Sequence, residues 1–150
     1  EMGAELSGVH WKGKTELPKI NYEVTLQAKR TMGSDFFCGL TFPFKESHAT
    51  LILGGWGGSL IGISSLDDFD ASENDTGDAY VFEDKKWYDV RLRVTEEKLQ
   101  VWLDDKMVID TDVEGRKVSM RFGEIEMSVP FGICTYATTG VIRDIKIKKL

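Results

Sequence analysis

The chain has little of several residue types that define other protein classes. Its 150 residues include only two cysteines, two histidines and three prolines. So few cysteines exclude a disulfide scaffold, and with histidines that lack ligand spacing they do not form a zinc site. No apolar run approaches the roughly 18 residues of a membrane-spanning helix, so we expect no membrane insertion. The 19 Lys and Arg against 25 Asp and Glu leave a net charge of −6, which would repel nucleic acid.

The rest of the composition is that of an ordinary globular protein, with 41% hydrophobic and 29% charged residues. A chain of this length is close to the commonest domain size, so we expect a single domain over residues 1–150. The chain starts with Glu followed by Met. This start suggests a fragment of a longer protein, whose other domains are candidate partners.

Alternation of apolar and polar residues dominates the chain and predicts an all-β fold. The pattern is clear at 22–28, 87–94 and 99–103. The short polar stretch between the last two segments predicts a hairpin. If this hairpin pairs Val94 with Leu99, Arg91 lies opposite Trp102. That register predicts a cation–π pair on the polar face.

Many more short strands follow from the same pattern. The further candidates are 36–44, 48–53, 60–64, 79–82, 107–111, 126–129, 131–137 and 141–148. So many short strands separated by turn residues favour a two-sheet sandwich, because an open sheet would leave its edges exposed.

Two stretches interrupt the strand pattern. The first is GGWGG at 54–58, where four glycines surround Trp56. It is either a sharp bend that needs positive φ, with the indole folded over the edge of the core, or an aromatic platform for a ligand. The second is 66–84, which has eight acidic residues and no Lys or Arg. We expect 66–84 to be mainly a loop.

The acidic loop has two interpretations. Asx turns at Asp70, Asn74 and Asp75 would make it a solvated surface loop. The alternative is that the loop binds calcium, since carboxylate and amide oxygens are the usual ligands of this ion. The spacing of these residues is not that of an EF-hand. No other cofactor is indicated.

The two cysteines, Cys38 and Cys134, each lie in an apolar strand-like run. We interpret both as buried thiols. A disulfide between them and a nucleophile paired with His48 are the alternatives.

The residue types suited to sugar binding are present, whereas a pair of catalytic carboxylates on a packed strand is not evident. Trp56 and Trp102 are the candidate stacking surfaces, the latter because it lies on the polar face of its strand. Trp102 has the alternative of simply stacking on Arg91. Trp11 and Trp87 are interpreted as structural. The polar groups expected beside the stacking surfaces are His48, Asp70, Glu73, Asn74 and Arg91.

Several segments resemble bacterial 3-keto-disaccharide hydrolase-like domains. The more specific ones are SDFFCGLTF at 34–42, the segment 50–65 around GGWGG, and DASEN at 70–74; KWYDVRLRV at 86–94, 99–110 and IRDIKI at 142–147 are generic to related sandwiches. The resemblance implies a concanavalin A-like jelly roll of two curved antiparallel sheets, with a ligand groove on the concave face. It also implies a bacterial protein exported to the periplasm or beyond the cell.

Three functions remain open from the sequence. The first is a carbohydrate-recognition domain of a glycan-processing protein. The second is a glycoside hydrolase acting on 3-keto-glucosides or disaccharides, in which a 3-keto group acidifies the neighbouring C–H so that one base, alone or with a metal ion, replaces the carboxylate pair. The base candidates are then His48, Asp70 and Glu73. The third is a non-catalytic interaction module.

Overall fold

The structure is a computed structural model that describes residues 6–13, 15–121 and 123–150. Strands account for most of it, with a four-residue turn of helix and one 3₁₀ helix. In chain order the elements are β1 (Leu6–His10), β2 (Tyr22–Gly33), β3 (Cys38–Phe44), β4 (Ser47–Gly54), α1 (Gly55–Gly58), β5 (Leu60–Ser64), β6 (Asp78–Ala79), β7 (Tyr88–Val94), β8 (Lys98–Leu103), β9 (Lys106–Asp112), η1 (Glu124–Ser128), β10 (Gly132–Tyr136) and β11 (Thr138–Lys149).

The strands form two antiparallel sheets. The six-stranded sheet has the order β1-β10-β3-β4-β5-β6, and the five-stranded sheet has the order β11-β2-β7-β8-β9. Alternate residues of both sheets meet in one core, as in β2, where every second side chain from Tyr22 to Ala28 is buried. The predicted all-β sandwich is therefore confirmed.

The predicted hairpin is also confirmed, including its register. Val94 pairs with Leu99, and Arg91 lies opposite Trp102. The guanidinium carbon of Arg91 lies 4.6 Å from the centre of the Trp102 ring. Alternation was sufficient here because shifting the register by one residue would turn the apolar side chains toward water.

Some strand boundaries were wrong. The segment 126–129 is not a strand but lies largely in η1, closed by hydrogen bonds such as that from the N–H of Val129 to the carbonyl of Glu126. Its Met127 side chain is exposed and the buried residue of the segment is Ser128, the reverse of what the apparent alternation predicts. The expected strand 79–82 is reduced to Asp78–Ala79. The sequence analysis missed β1.

Both cysteines are buried free thiols, as predicted, and the alternative of a disulfide is wrong. Cys134 pairs with Gly39, the residue next to Cys38, on adjacent strands. Because successive side chains of a strand point to opposite faces, the two thiols lie on opposite sides of the six-stranded sheet. In the described residues, no helix is long and apolar enough to cross a membrane.

Candidate functional site

The glycine-rich segment after β4 is a tight turn with left-handed backbone. Gly54, Gly57 and Gly58 have φ of 84°, 92° and 104°, which glycine adopts without steric cost. Trp56 has φ 46° and ψ 57°, which is rare for a bulky residue. The bend with positive φ expected from the sequence is thus present, and it holds the indole at the surface with 41% of the side chain exposed.

Arg30 holds this turn in place from the opposite sheet. It continues the inward-facing series of β2 and is buried at the end of the sandwich. Its Nη1 donates to the carbonyl of Gly58 at 3.2 Å and its Nη2 to the carbonyl of Phe82 at 2.9 Å. Its Nε forms an ion pair with Asp84 at 2.6 Å. One side chain therefore connects β2, the glycine turn and the segment before β7.

A cleft of about 420 Å³ lies beside Trp56. We call it the Trp56 cleft. Its lining residues are Leu6, Asp35, Phe36, Trp56, Arg121, Ile125 and Tyr136. The antiparallel order explains why they meet. The beginnings of β1 and β3 and the ends of β4 and β10 all lie at one end of the six-stranded sheet.

The walls of the Trp56 cleft combine aromatic and charged groups. The rings of Phe36 and Tyr136 stack with centres 6.2 Å apart. The guanidinium carbon of Arg121 lies 5.4 Å from the centre of the Trp56 ring. Asp35 accepts a hydrogen bond from the N–H of Phe36 at 2.8 Å, which orients its carboxylate. The cleft thus offers flat apolar surfaces with one acid and one cation.

The outer face of the six-stranded sheet is covered next to this cleft. Thr41 and Thr50 point to that face and are fully buried, with their hydroxyls 2.8 Å apart. The Met120 sulfur accepts a hydrogen bond from the Thr50 hydroxyl at 3.5 Å. The segment that carries Met120 therefore covers this part of the sheet face.

Trp102 lies on the outer face of the other sheet. Its ring is flanked by Arg91 at 4.6 Å and Arg93 at 5.3 Å, and both arginines pair with Glu23. Arg91 therefore lies over this ring, as the alternative of stacking on Arg91 predicted. The structure does not bring Trp102 and Arg91 together with Trp56.

The acidic loop organises itself internally. Asn74 donates from Nδ2 to the carbonyls of Ile63 and Phe69 and accepts the N–H of Thr76 at Oδ1. Asp70 accepts the N–H of Ser72 at 2.9 Å, and Glu73 is exposed. Asx turns at Asp70 and Asn74 are thus confirmed. None of these three residues lines the Trp56 cleft.

Arg116 engages two other carboxylates of the loop. It pairs with Asp67 at 2.9 Å and with Asp75 at 2.8 Å. The N–H of Lys117 and the guanidinium of Arg116 hold the pKa of Asp67 below its usual value. Within 6–13, 15–121 and 123–150, no group of three or more His, Cys, Asp or Glu is placed to hold a metal ion.

His48 lies at the opposite end of the six-stranded sheet. It is near the start of β4, whereas Trp56 follows the end of that strand. Gly54 is six positions after His48, which is roughly 20 Å in an extended strand. Burial and the charge of Lys19 lower the pKa of His48. His48 therefore cannot act on a ligand bound at Trp56 without a large rearrangement.

The sequence analysis missed Asp35, Phe36, Arg121 and Tyr136 as site residues. The segment with Asp35 and Phe36 was noted for its family resemblance and as the start of a strand, but not as part of a site. Arg121 and Tyr136 reach the cleft from distant parts of the chain, and no local pattern marks them. Only the strand order brings these residues together.

Comparison with known proteins places this architecture in a family. The sequence model of the 3-keto-alpha-glucoside-1,2-lyase-like domain matches residues 7–148. The chain belongs to this family. The resemblance stated from the sequence is confirmed, and the protein is a carbohydrate-related sandwich domain. No curated protein sequence matches the chain.

Solved structures show the same fold at low sequence identity. The carbohydrate-binding module CBM66 from Bacillus subtilis has 13% identity and a TM-score of 0.59, over 97% of this chain and 83% of that one. A variant of human galectin-16 has 14% identity and a TM-score of 0.56, over 95% and 96%. The β-fructofuranosidase of Aspergillus kawachii has 12% identity and a TM-score of 0.57, over 96% of this chain and 26% of the enzyme. These similarities confirm the concanavalin A-like jelly-roll class.

Proposed function

We propose that this family member is a carbohydrate-recognition domain of a bacterial glycan-processing protein, and that the Trp56 cleft binds the sugar. The observation that carries the proposal is the exposed indole of Trp56, held in a left-handed turn at the wall of the cleft. A strained conformation of this kind costs about 1–3 kcal/mol and is typical of binding and active sites. The names of a carbohydrate-binding module and a galectin with the same fold support the ligand class.

The chemistry of the Trp56 cleft suits a pyranose. One face of a pyranose ring presents C–H groups, which pack on an indole, while the hydroxyls around its rim need hydrogen-bond partners. The carboxylate of Asp35 accepts hydrogen bonds and the guanidinium of Arg121 donates them. A cleft of about 420 Å³ has room for one or two sugar rings.

Calorimetric titration with glucosides, disaccharides and their 3-keto forms tests this proposal. We expect Trp56→Ala to weaken binding roughly tenfold or more, because the loss of a stacking surface costs at least about 1.4 kcal/mol. The matched control is Trp102→Ala, which removes an indole on the other sheet and leaves affinity unchanged. Equal affinities for Trp56→Ala and the unmodified protein, or no binding of any glycan, would overturn the proposal in favour of an interaction module.

Cleavage of a 3-keto-glucoside is the second candidate function, and family membership favours it. A base removes the proton from C2, the C1–C2 double bond forms, and the C1–O bond breaks. The electron pair leaves with the C1 oxygen, which takes up the proton and departs as an alcohol. Asp35 is the carboxylate of the Trp56 cleft and would move this proton, while Arg121 would stabilise the enolate. His48, Asp70 and Glu73 lie elsewhere.

Release of nitrophenol from a nitrophenyl 3-keto-α-glucoside measures this reaction. We expect Asp35→Asn to lose the activity while retaining affinity for the unoxidised glucoside. Asp70→Asn is the matched control, since Asp70 is a loop carboxylate that does not line the Trp56 cleft, and it should remain fully active. Absence of product with the unmodified protein would leave recognition as the function.

We also propose that the protein is exported, to the periplasm or the exterior of a bacterium. The basis is the family resemblance together with glycans as the ligand class. Fractionation of the producing cells tests this, and recovery of the protein only with the cytoplasmic fraction would contradict it.

A further inference from the structure

A second cleft lies at the end of the sandwich opposite Trp56. It measures about 560 Å³, and we call it the lysine cleft after Lys12, Lys19 and Lys45, which line it together with Trp11 and His48. The segment after β1 forms one wall and the β3–β4 turn forms the other. The two walls are joined by a hydrogen bond from the N–H of Lys45 to the carbonyl of Lys19 at 2.8 Å.

Trp11 provides an aromatic surface in this cleft. Its side chain is 43% exposed, so the interpretation of Trp11 as structural is incomplete. The backbone N–H of Trp11 donates to the backbone carbonyl of Phe131 at 2.7 Å, which anchors the residue to the strand edge. A Cβ at Gly13 would lie 2.0 Å from Cζ2 of the indole, so the chain packs closely against this ring. The ring is thus held in position while part of it faces solvent.

The lysine cleft is cationic although the protein as a whole has a net charge of −6. Lys19 pairs with Glu46 at 3.2 Å. Lys12 and Lys45 have no carboxylate partner within ion-pair distance among the residues that the structure describes. Glu16 also lines the cleft, so three lysines face two glutamates there. His48 is partly buried in the same wall, next to the charge of Lys19.

We propose that the lysine cleft binds an acidic sugar, a hexuronate unit, with its ring on Trp11 and its carboxylate paired with Lys12 and Lys45. An indole surface and nearby ammonium groups that have no carboxylate partner among the described residues match the two faces of such a ligand, one apolar and one anionic. This site is separate from the Trp56 cleft, because the two lie at opposite ends of β4. The proposal does not depend on sugar binding at Trp56.

The experiment compares methyl glucuronide with methyl glucoside as probes of the intact protein, by calorimetry and by NMR of the histidine rings. We expect the glucuronide to bind the lysine cleft roughly tenfold more tightly than the glucoside does. The double variant Lys12→Gln, Lys45→Gln should lose this preference and its salt dependence, and Trp11→Ala should weaken binding of the glucuronide. Both lysines are exposed, so the double variant does not disturb the core.

The pKa of His48 gives an independent readout of where the glucuronide binds. A bound carboxylate offsets the charge of Lys19, so the pKa of His48 should rise when the glucuronide is added. The charged groups that line this cleft with His48 are Lys12, Lys19, Lys45, Glu16 and Glu46. Trp102→Ala is the matched control, because Trp102 lines neither of the two sugar clefts, and it should leave glucuronide binding unchanged. Three results would overturn the proposal: equal affinity for the two methyl glycosides, equal binding of acetate, or loss of glucuronide binding in Trp102→Ala.

Discussion

The four tryptophans of this protein differ in what their ring faces contact. Trp87 is flanked by Lys29 at 4.6 Å and Arg143 at 3.7 Å, and Trp102 by two arginines. Cations on an indole face stabilise the pair by about 0.5–1 kcal/mol at exposed sites, and they also compete with a ligand for that face. Among the described residues, Trp56 has a single cation over its ring, Arg121 at 5.4 Å. Trp11 and Trp56 border clefts and are more than 40% exposed, whereas Trp102 borders a smaller cleft and is only partly exposed. Ligand binding is therefore proposed at Trp11 and Trp56.

At the residue scale, burial should make both cysteines unreactive in the folded protein. Burial raises the pKa of Cys134 to about 11 and that of Cys38 further. We expect Ellman's reagent to modify the thiols only as fast as the protein unfolds, and both at once in denaturant. Because the folded pKa of Cys134 exceeds its ordinary value of 9.0, this contribution to stability is present below pH 9 and is lost as the pH rises toward 11. Rapid modification of one thiol in the folded protein would contradict this prediction.

At the scale of elements, alternation and turn residues were enough to predict most strands. Strand β5 has the predicted bounds. Strands β2, β7 and β8 are where they were predicted, but each has one end at a different residue. The method failed where apolar residues alternate without a sheet to join, as at 126–129. A strand needs a hydrogen-bonding partner, and that partner is a property of the whole fold.

The turn that positions Trp56 depends on a residue from another element, Arg30. We expect Arg30→Met to lower the free energy of unfolding by about 2–3 kcal/mol, because the carbonyls of Gly58 and Phe82 lose a charged donor. Urea denaturation measures this change. The conservative variant Arg30→Lys keeps the charge but cannot contact Gly58, Phe82 and Asp84 together. Its free energy of unfolding should lie between those of Arg30→Met and the unmodified protein. Equal stability of Arg30→Met and the unmodified protein would show that the contacts are not needed.

The same variants report on the proposed sugar site. If Arg30 positions the glycine turn, Arg30→Lys should weaken glucoside binding more than Lys19→Gln does. Lys19 is the matched control because it also bridges two segments, but at the far end of the sheet. A parallel loss in both variants would mean that the weakening reflects general instability.

At the scale of the whole molecule, one core links the two sheets. Buried residues of both sheets form a single hydrophobic cluster, from Tyr22 and Leu92 on one to Leu40 and Leu51 on the other. A shared core of this kind leaves no part of the sandwich that can unfold alone. The single domain over 1–150 stays a prediction, and the shared core of the described residues supports it.

That arrangement predicts one cooperative unfolding transition. Far-UV circular dichroism and tryptophan fluorescence should give the same midpoint in urea, since the tryptophans are distributed over both sheets and both ends. Two separate midpoints would indicate two independently unfolding units. Folding should also be slow for a chain of this size, because most contacts join residues that are distant in sequence.

The sequence by itself determined the fold class, the inward and outward faces of the main strands, the hairpin register, the glycine turn and the family. These features follow from local periodicity and from the conformational freedom of glycine, which act over a few residues. Only the tertiary structure decided which side chains share a cleft. Asp35, Arg121 and Tyr136 meet Trp56 because four strand ends converge, and His48 is separated from Trp56 by the length of β4. Convergence of this kind depends on strand order, which no local pattern encodes.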